Sequence, residues 1–132
     1  MAPRWHWLLF AALLLGEFLV FDRLVSKHHA WVYPRWNDQI QYLTEAYTSY
    51  EKLRAGGLAA GLRESLGNPA AQGTLHDVAA VLIFAVAGPS RSAALSVNIL
   101  AFLAWQVATF AACRRLTGRW SAAWLAAGLL LT

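Results

Sequence analysis

An all-α, membrane-embedded fold is the class this sequence predicts, and three observations predict it. Hydrophobic residues make up 58% of the 132 and charged residues 14%, against roughly 45–50% and about 25% in ordinary soluble domains. The mean hydropathy is +0.42, and the apolar residues fall in long runs rather than in short alternating segments. Glycine and proline punctuate those runs, at Gly56-Gly57, Gly67-Asn68-Pro69 and Gly88-Pro89, as they do where helices end and turns begin. The predicted organisation is a transmembrane helix over residues 1–25, a large outer loop carrying membrane-surface helices over 26–92, and a transmembrane helical hairpin over 93–132.

The first run, Trp5 to Val25, approaches the ~20 residues a spanning helix needs. It is too long for the apolar core of a signal peptide, and no small-x-small cleavage pattern follows it, so it reads as an uncleaved anchor. Trp5, Trp7 and Trp31 suit an interfacial aromatic belt. Glu17 is the acid inside the run. A carboxyl at that depth is expensive, and either it faces protein or a cavity as a functional group, or it is protonated or sits toward the outer interface beside Asp22 and Arg23.

Residues 26 to 72 are polar and aromatic and read as a water-facing loop. Within it Ile40, Leu43, Tyr47, Tyr50 and Leu53 keep the rhythm of an amphipathic helix from about Asp38 to Ala55, with Asn37 or Asp38 as its N-cap and Gly56-Gly57 as its stop. The next apolar run, within a short helix from Leu75 to Ala87, is too brief to cross a bilayer and suits an interfacial or re-entrant segment. A long helix from Ala93 to Leu116 is able to cross, and another apolar run starts at Trp120. That run is still apolar at Thr132, so the chain is expected to be the front of a larger polytopic protein. With the short run not crossing, Arg4 and the Arg114-Arg115-Arg119 cluster share the cytoplasmic side, in keeping with the bias of arginine toward that side.

A formal charge of +4 does not point to nucleic acid, because the basic residues are scattered at the edges of apolar runs and form no stripe. The single cysteine, Cys113, excludes an intrachain disulfide. There is no phosphate-binding glycine loop, no zinc-spaced Cys/His set and no nucleophile elbow. His28 and His29 are adjacent, so they diverge on a helix or a strand and do not grip a metal as an i, i+4 pair would. Asp38 stands out. A carboxylate at the membrane surface, partly desolvated by Trp36, can act as general base toward a hydroxyl or amine, or can simply cap its helix.

Asp38-Gln39-Ile40-Gln41-Tyr42, Gly73-Thr74-Leu75, Gly88-Pro89-Ser90-Arg91, the helix Ala93 to Cys113 and Arg114-Arg115-Leu116-Thr117-Gly118-Arg119 follow one another along nearly the whole chain. Their succession resembles the N-terminal region of the C-type (GT-C) membrane glycosyltransferases, including the protein mannosyltransferase and aminoarabinose transferase relatives. Three departures stand out. Gln39 replaces the second acid of an Asp-Glu-x-x-Tyr motif, Gly73-Thr74-Leu75 stands for Pro-Pro-Leu, and Gln72 occupies the family's His or Lys position.

The resemblance implies an inverting transferase that moves a sugar from a polyprenyl-phosphate carrier to an acceptor on the non-cytoplasmic face. It implies Asp38 as the base and Tyr42 as a substrate contact, with no metal or cofactor demanded; because Gln72 fills the basic position, Arg35 or His76 would have to stand in as the basic residue for the substrate phosphate. Its partners would be the lipid bilayer, the polyprenyl-phosphate sugar donor and the remaining transmembrane helices of a full-length protein. The setting implied is the cell envelope, in a bacterial inner (plasma) membrane with the N-terminus cytoplasmic, and the segment alone is expected to be inactive. The alternative reading is a small non-enzymatic membrane protein or a transporter scaffold, with Glu17 as an intramembrane functional acid.

Overall fold

The computed structural model describes residues 4–29, 37–67 and 74–131, and no strand occurs among them. Six α-helices follow in order: α1 (Trp5–Leu24), which runs on into a π-helical turn (Val25–His29), α2 (Asn37–Gly56), α3 (Leu58–Gly67), α4 (Thr74–Ala87), α5 (Arg91–Thr117) and α6 (Trp120–Leu130). Trp31 and Arg35 lie outside the described residues. The helical class is thus as expected. Among the described residues α5 is the helix long and apolar enough to cross a membrane by length and composition, while α4 and α6 are shorter apolar helices.

The chain divides into two compact units, Met1–Phe21 with Asn98–Thr132, and Asp22–Val97. In the first unit aromatic side chains join the helices. Phe10 stacks on Phe110 with centroids 4.0 Å apart, a geometry worth about 0.5–1.5 kcal/mol beyond the area it buries. Gln106 donates to Glu17, so α1 and α5 run antiparallel. His6 stacks on Trp120 and Phe10 meets Trp124 edge-on, so α6 runs parallel to α1. Ala123 and Ala127 complete the buried cluster.

The second unit is built on small residues. α2, α3 and α4 pack against one another, and the cluster at their centre holds Ala46, Ala80 and Phe84 with Ala93, Ala94 and Val97 from the start of α5. The expected apolar stripe of α2 is present but shifted. Leu43, Tyr47, Tyr50 and Leu53 are half-buried and Ile40 is exposed, while the line of closest approach runs through Ala46 and Ser49, both buried. α2 begins at Asn37, so Asn37 and Asp38 stand in its first turn and not before it as a cap.

α3 occupies what the sequence presents as loop. Its 10 residues are too few to hold a helix by propensity, and Gly61 at its middle weakens it further. Packing supplies the stability. A Cβ on Gly61 would lie 2.6 Å from Leu53 Cβ and 3.0 Å from the Ser49 carbonyl oxygen, so only glycine lets α3 come this close to α2. The turn between them is Gly57, at φ 80°, whose N–H donates to the Leu53 carbonyl at 2.8 Å, the left-handed C-cap that glycine provides without a Cβ clash. Gly88, at φ 82°, ends α4 in the same way on Phe84. Two residues later Ser90 caps α5, its Oγ accepting from the Ala93 N–H at 3.0 Å, as an N-cap hydroxyl does.

Candidate functional site

The second unit places polar groups where α2 meets the first turns of α4. Asp77 stands in the first turn of α4, where the helix dipole favours a carboxylate. It is buried although the apolar run begins directly after it. Ser49, fully buried at the small-residue line of α2, donates its hydroxyl to Asp77 Oδ2 at 2.9 Å. The other oxygen, Oδ1, is buried with no hydrogen-bond partner. A buried carboxylate oxygen without a donor is costly, so this acid has one lone-pair face unused.

His76 precedes it. Its ring lies 5.2 Å from that of Tyr42, centroid to centroid, one turn into α2. Burial lowers the His76 pKa from its ordinary 6.5, and the Asp77 charge partly opposes that shift. His76 is therefore neutral at pH 7, and its Nδ1 is buried without a partner. Asp77 Oδ1 is an unused acceptor, and His76 Nδ1 is an unused donor or acceptor according to which ring nitrogen carries the proton. A carboxyl beside a neutral imidazole is a pair that can draw a proton from a hydroxyl or an amine, but both unpartnered atoms are buried. Among the described residues no three His, Cys, Asp or Glu side chains come together to hold a metal ion.

Of the residues singled out from the sequence, Tyr42 and His76 are brought together. Asp38 lies in the first turn of α2, four residues before Tyr42, but its side chain lies outside the described residues, as does Arg35. Asp77 and Ser49 were missed. One signal for Asp77 was present, a charged residue directly heading an apolar run. Ser49 gave none, since its role depends on a partner 28 residues away.

The first unit holds a second polar pair. Gln106, nearly fully buried on α5, donates from Nε2 to Glu17 Oε1 at 3.2 Å, and Glu17 Oε2 and Gln106 Oε1 are both buried without partners. The acid that stood out in the first apolar run therefore faces protein. Comparison of the chain with protein-family models, with curated proteins and with solved structures gives no match in any of the three.

Proposed function

We propose that the chain is a membrane-embedded segment of a polytopic protein, with α1, α5 and α6 in the bilayer and α2, α3 and α4 on its non-cytoplasmic side. The observation that carries this is the apolar surface left bare. Only 33% of the apolar window of α5 is covered by the rest of the protein, and Leu8, Leu15, Leu19, Val20, Trp105 and Leu125 are all exposed. A water-soluble protein rarely leaves so much contiguous apolar surface open. The same helices meet lipid without penalty, while the polar pair Gln106–Glu17 is turned toward protein as bilayer burial requires.

Within that frame the activity we propose is glycosyl transfer, from a polyprenyl-phosphate-linked sugar to an acceptor on the non-cytoplasmic face. Support comes from the order of motifs along the chain and from the chemistry beside Tyr42. Asp38, at the start of α2, would take the acceptor proton, one turn before Tyr42 and its neighbour His76. The carrier's isoprenoid tail would remain in lipid, and the low dielectric near the bilayer would strengthen each charge–dipole contact. The N-terminus and the Arg114–Arg119 turn would face the cytoplasm of a bacterial inner membrane.

The test uses the polypeptide as its gene encodes it, expressed in membranes. Alkaline carbonate should leave it in the membrane pellet, and release into the supernatant would refute the bilayer placement. Transfer from a radiolabelled polyprenyl-phosphate sugar should fall about 100-fold or more in Asp38→Asn, the usual worth of a positioned base. Glu51→Gln, at an exposed acid of the same helix, should transfer as the parent does. Undiminished transfer by a folded Asp38→Asn protein would remove Asp38 from the mechanism.

A further inference from the structure

One end of the first unit concentrates positive charge that nothing in that unit balances. Because α1 runs antiparallel to α5 and parallel to α6, the start of α1, the end of α5 and the start of α6 meet there. Arg4, Arg115 and Arg119 are exposed at this end. The Arg114 guanidinium carbon lies 4.6 Å from the centre of the Trp120 ring, a cation–π distance, and its Nε is buried without a hydrogen-bond partner. The turn is fixed by its own hydrogen bonds: the Arg119 N–H donates to Thr117 Oγ1 at 3.2 Å, while that hydroxyl donates to the Cys113 carbonyl at 2.7 Å.

The unit contains a single acid, Glu17, and it is engaged by Gln106, eight residues and so about 12 Å along α5 from Arg114. Four guanidinium groups thus gather without a carboxylate, rimmed by Trp5 and Trp7, both exposed, and by Trp120. Tryptophan of this kind settles at the level of lipid headgroups and ester carbonyls. Guanidinium pairs in a fork with phosphate oxygens.

We propose that the Arg114-Arg115-Arg119 turn, with Arg4 and its tryptophan rim, is a binding site for the phosphodiester headgroup of an anionic phospholipid. The site rests on the bilayer placement proposed above, and one experiment separates the two. The chain is reconstituted in phosphatidylcholine vesicles in which a rising fraction of lipid is acyl-brominated phosphatidylglycerol or acyl-brominated phosphatidylcholine, and quenching of tryptophan fluorescence is followed. Brominated phosphatidylglycerol should quench at the lower fraction. Arg115→Gln and Arg119→Gln should each reduce that preference about five-fold, the equivalent of about 1 kcal/mol per basic residue at a membrane surface, whereas Arg115→Lys should keep most of it. Equal quenching by the two brominated lipids overturns the headgroup site and leaves the bilayer placement standing. No quenching by either overturns both. Loss of the preference in excess inorganic phosphate at constant ionic strength would assign the site to free anions and overturn the lipid assignment.

Discussion

Replacing Ser49 with alanine should damage the second unit more than its size suggests. The hydroxyl is the donor to Asp77 Oδ2, and Oδ1 already has none, so Ser49→Ala leaves a buried carboxylate with no hydrogen bond. A hydrogen bond to a charged group contributes about 1.5–3 kcal/mol, and the orphaned group keeps its desolvation cost, so a loss of about 2–3 kcal/mol is expected. Asp77→Ala removes the expensive group itself. Its orphan is only the Ser49 hydroxyl, and hydroxyls on this helix find the carbonyl four residues back, as Thr44 does with Ile40 and Thr48 with Thr44. That variant should lose about 1 kcal/mol from the bond, plus a smaller packing loss. The double variant should be no less stable than Ser49→Ala alone, a coupling of at least about 1 kcal/mol in the cycle. Urea or SDS unfolding in detergent, followed by far-ultraviolet circular dichroism, measures all four corners. Additive losses, or a Ser49→Ala protein within about 0.5 kcal/mol of the parent, would refute the bond and the burial inferred for Asp77.

Two further outcomes follow from the same unit. Gly61→Ala gains up to about 1 kcal/mol of helix propensity but puts a methyl against Leu53 and the Ser49 backbone, an overpacking worth about 1–3 kcal/mol. It should lower the unfolding midpoint, whereas Gly128→Ala, with nothing within 4 Å, should not; a raised midpoint for Gly61→Ala would contradict the α2–α3 contact. For His76 the folded pKa lies below the unfolded 6.5, so below that pH the unfolded chain binds the proton first. The stability tied to it is fully present above pH 6.5 and is lost as pH falls through the folded value. Unfolding titrations should show that acid-side loss in the parent and a weaker one in His76→Gln, and equal slopes would refute the buried neutral imidazole.

The helices of this chain were legible because apolar runs and their glycine and proline stops are local signals. α3 was not, because Gly61 looks like a helix breaker in isolation and acts as a packing surface only once α2 lies against it. The motif order was equally visible, and the fold explains part of it without chemistry. Gly88-Pro89-Ser90 is a helix stop followed by a helix cap, and any joint of two helices asks for such residues, so that motif speaks for the architecture more than for a substrate. Tyr42 could be named from its motif position, and His76 only as a stand-in for the basic residue that Gln72 replaces. Asp77 and Ser49 could not, since a buried acid and its donor declare themselves only when distant turns of the chain meet.

The Glu17–Gln106 bond also sets a timetable. Its two residues are 89 positions apart, and ribosomes add roughly 5–20 residues each second. For about 4–18 s after Glu17 is added to the chain, its amide partner does not yet exist. On the bilayer placement proposed above, the growing chain would hold the carboxyl of α1 beside water, lipid headgroups or the insertion machinery during that interval. The acid would then delay final settlement of the first helix until α5 arrives. Assembly of this unit would thereby be tied to the order in which its helices are made, with α1 waiting for α5.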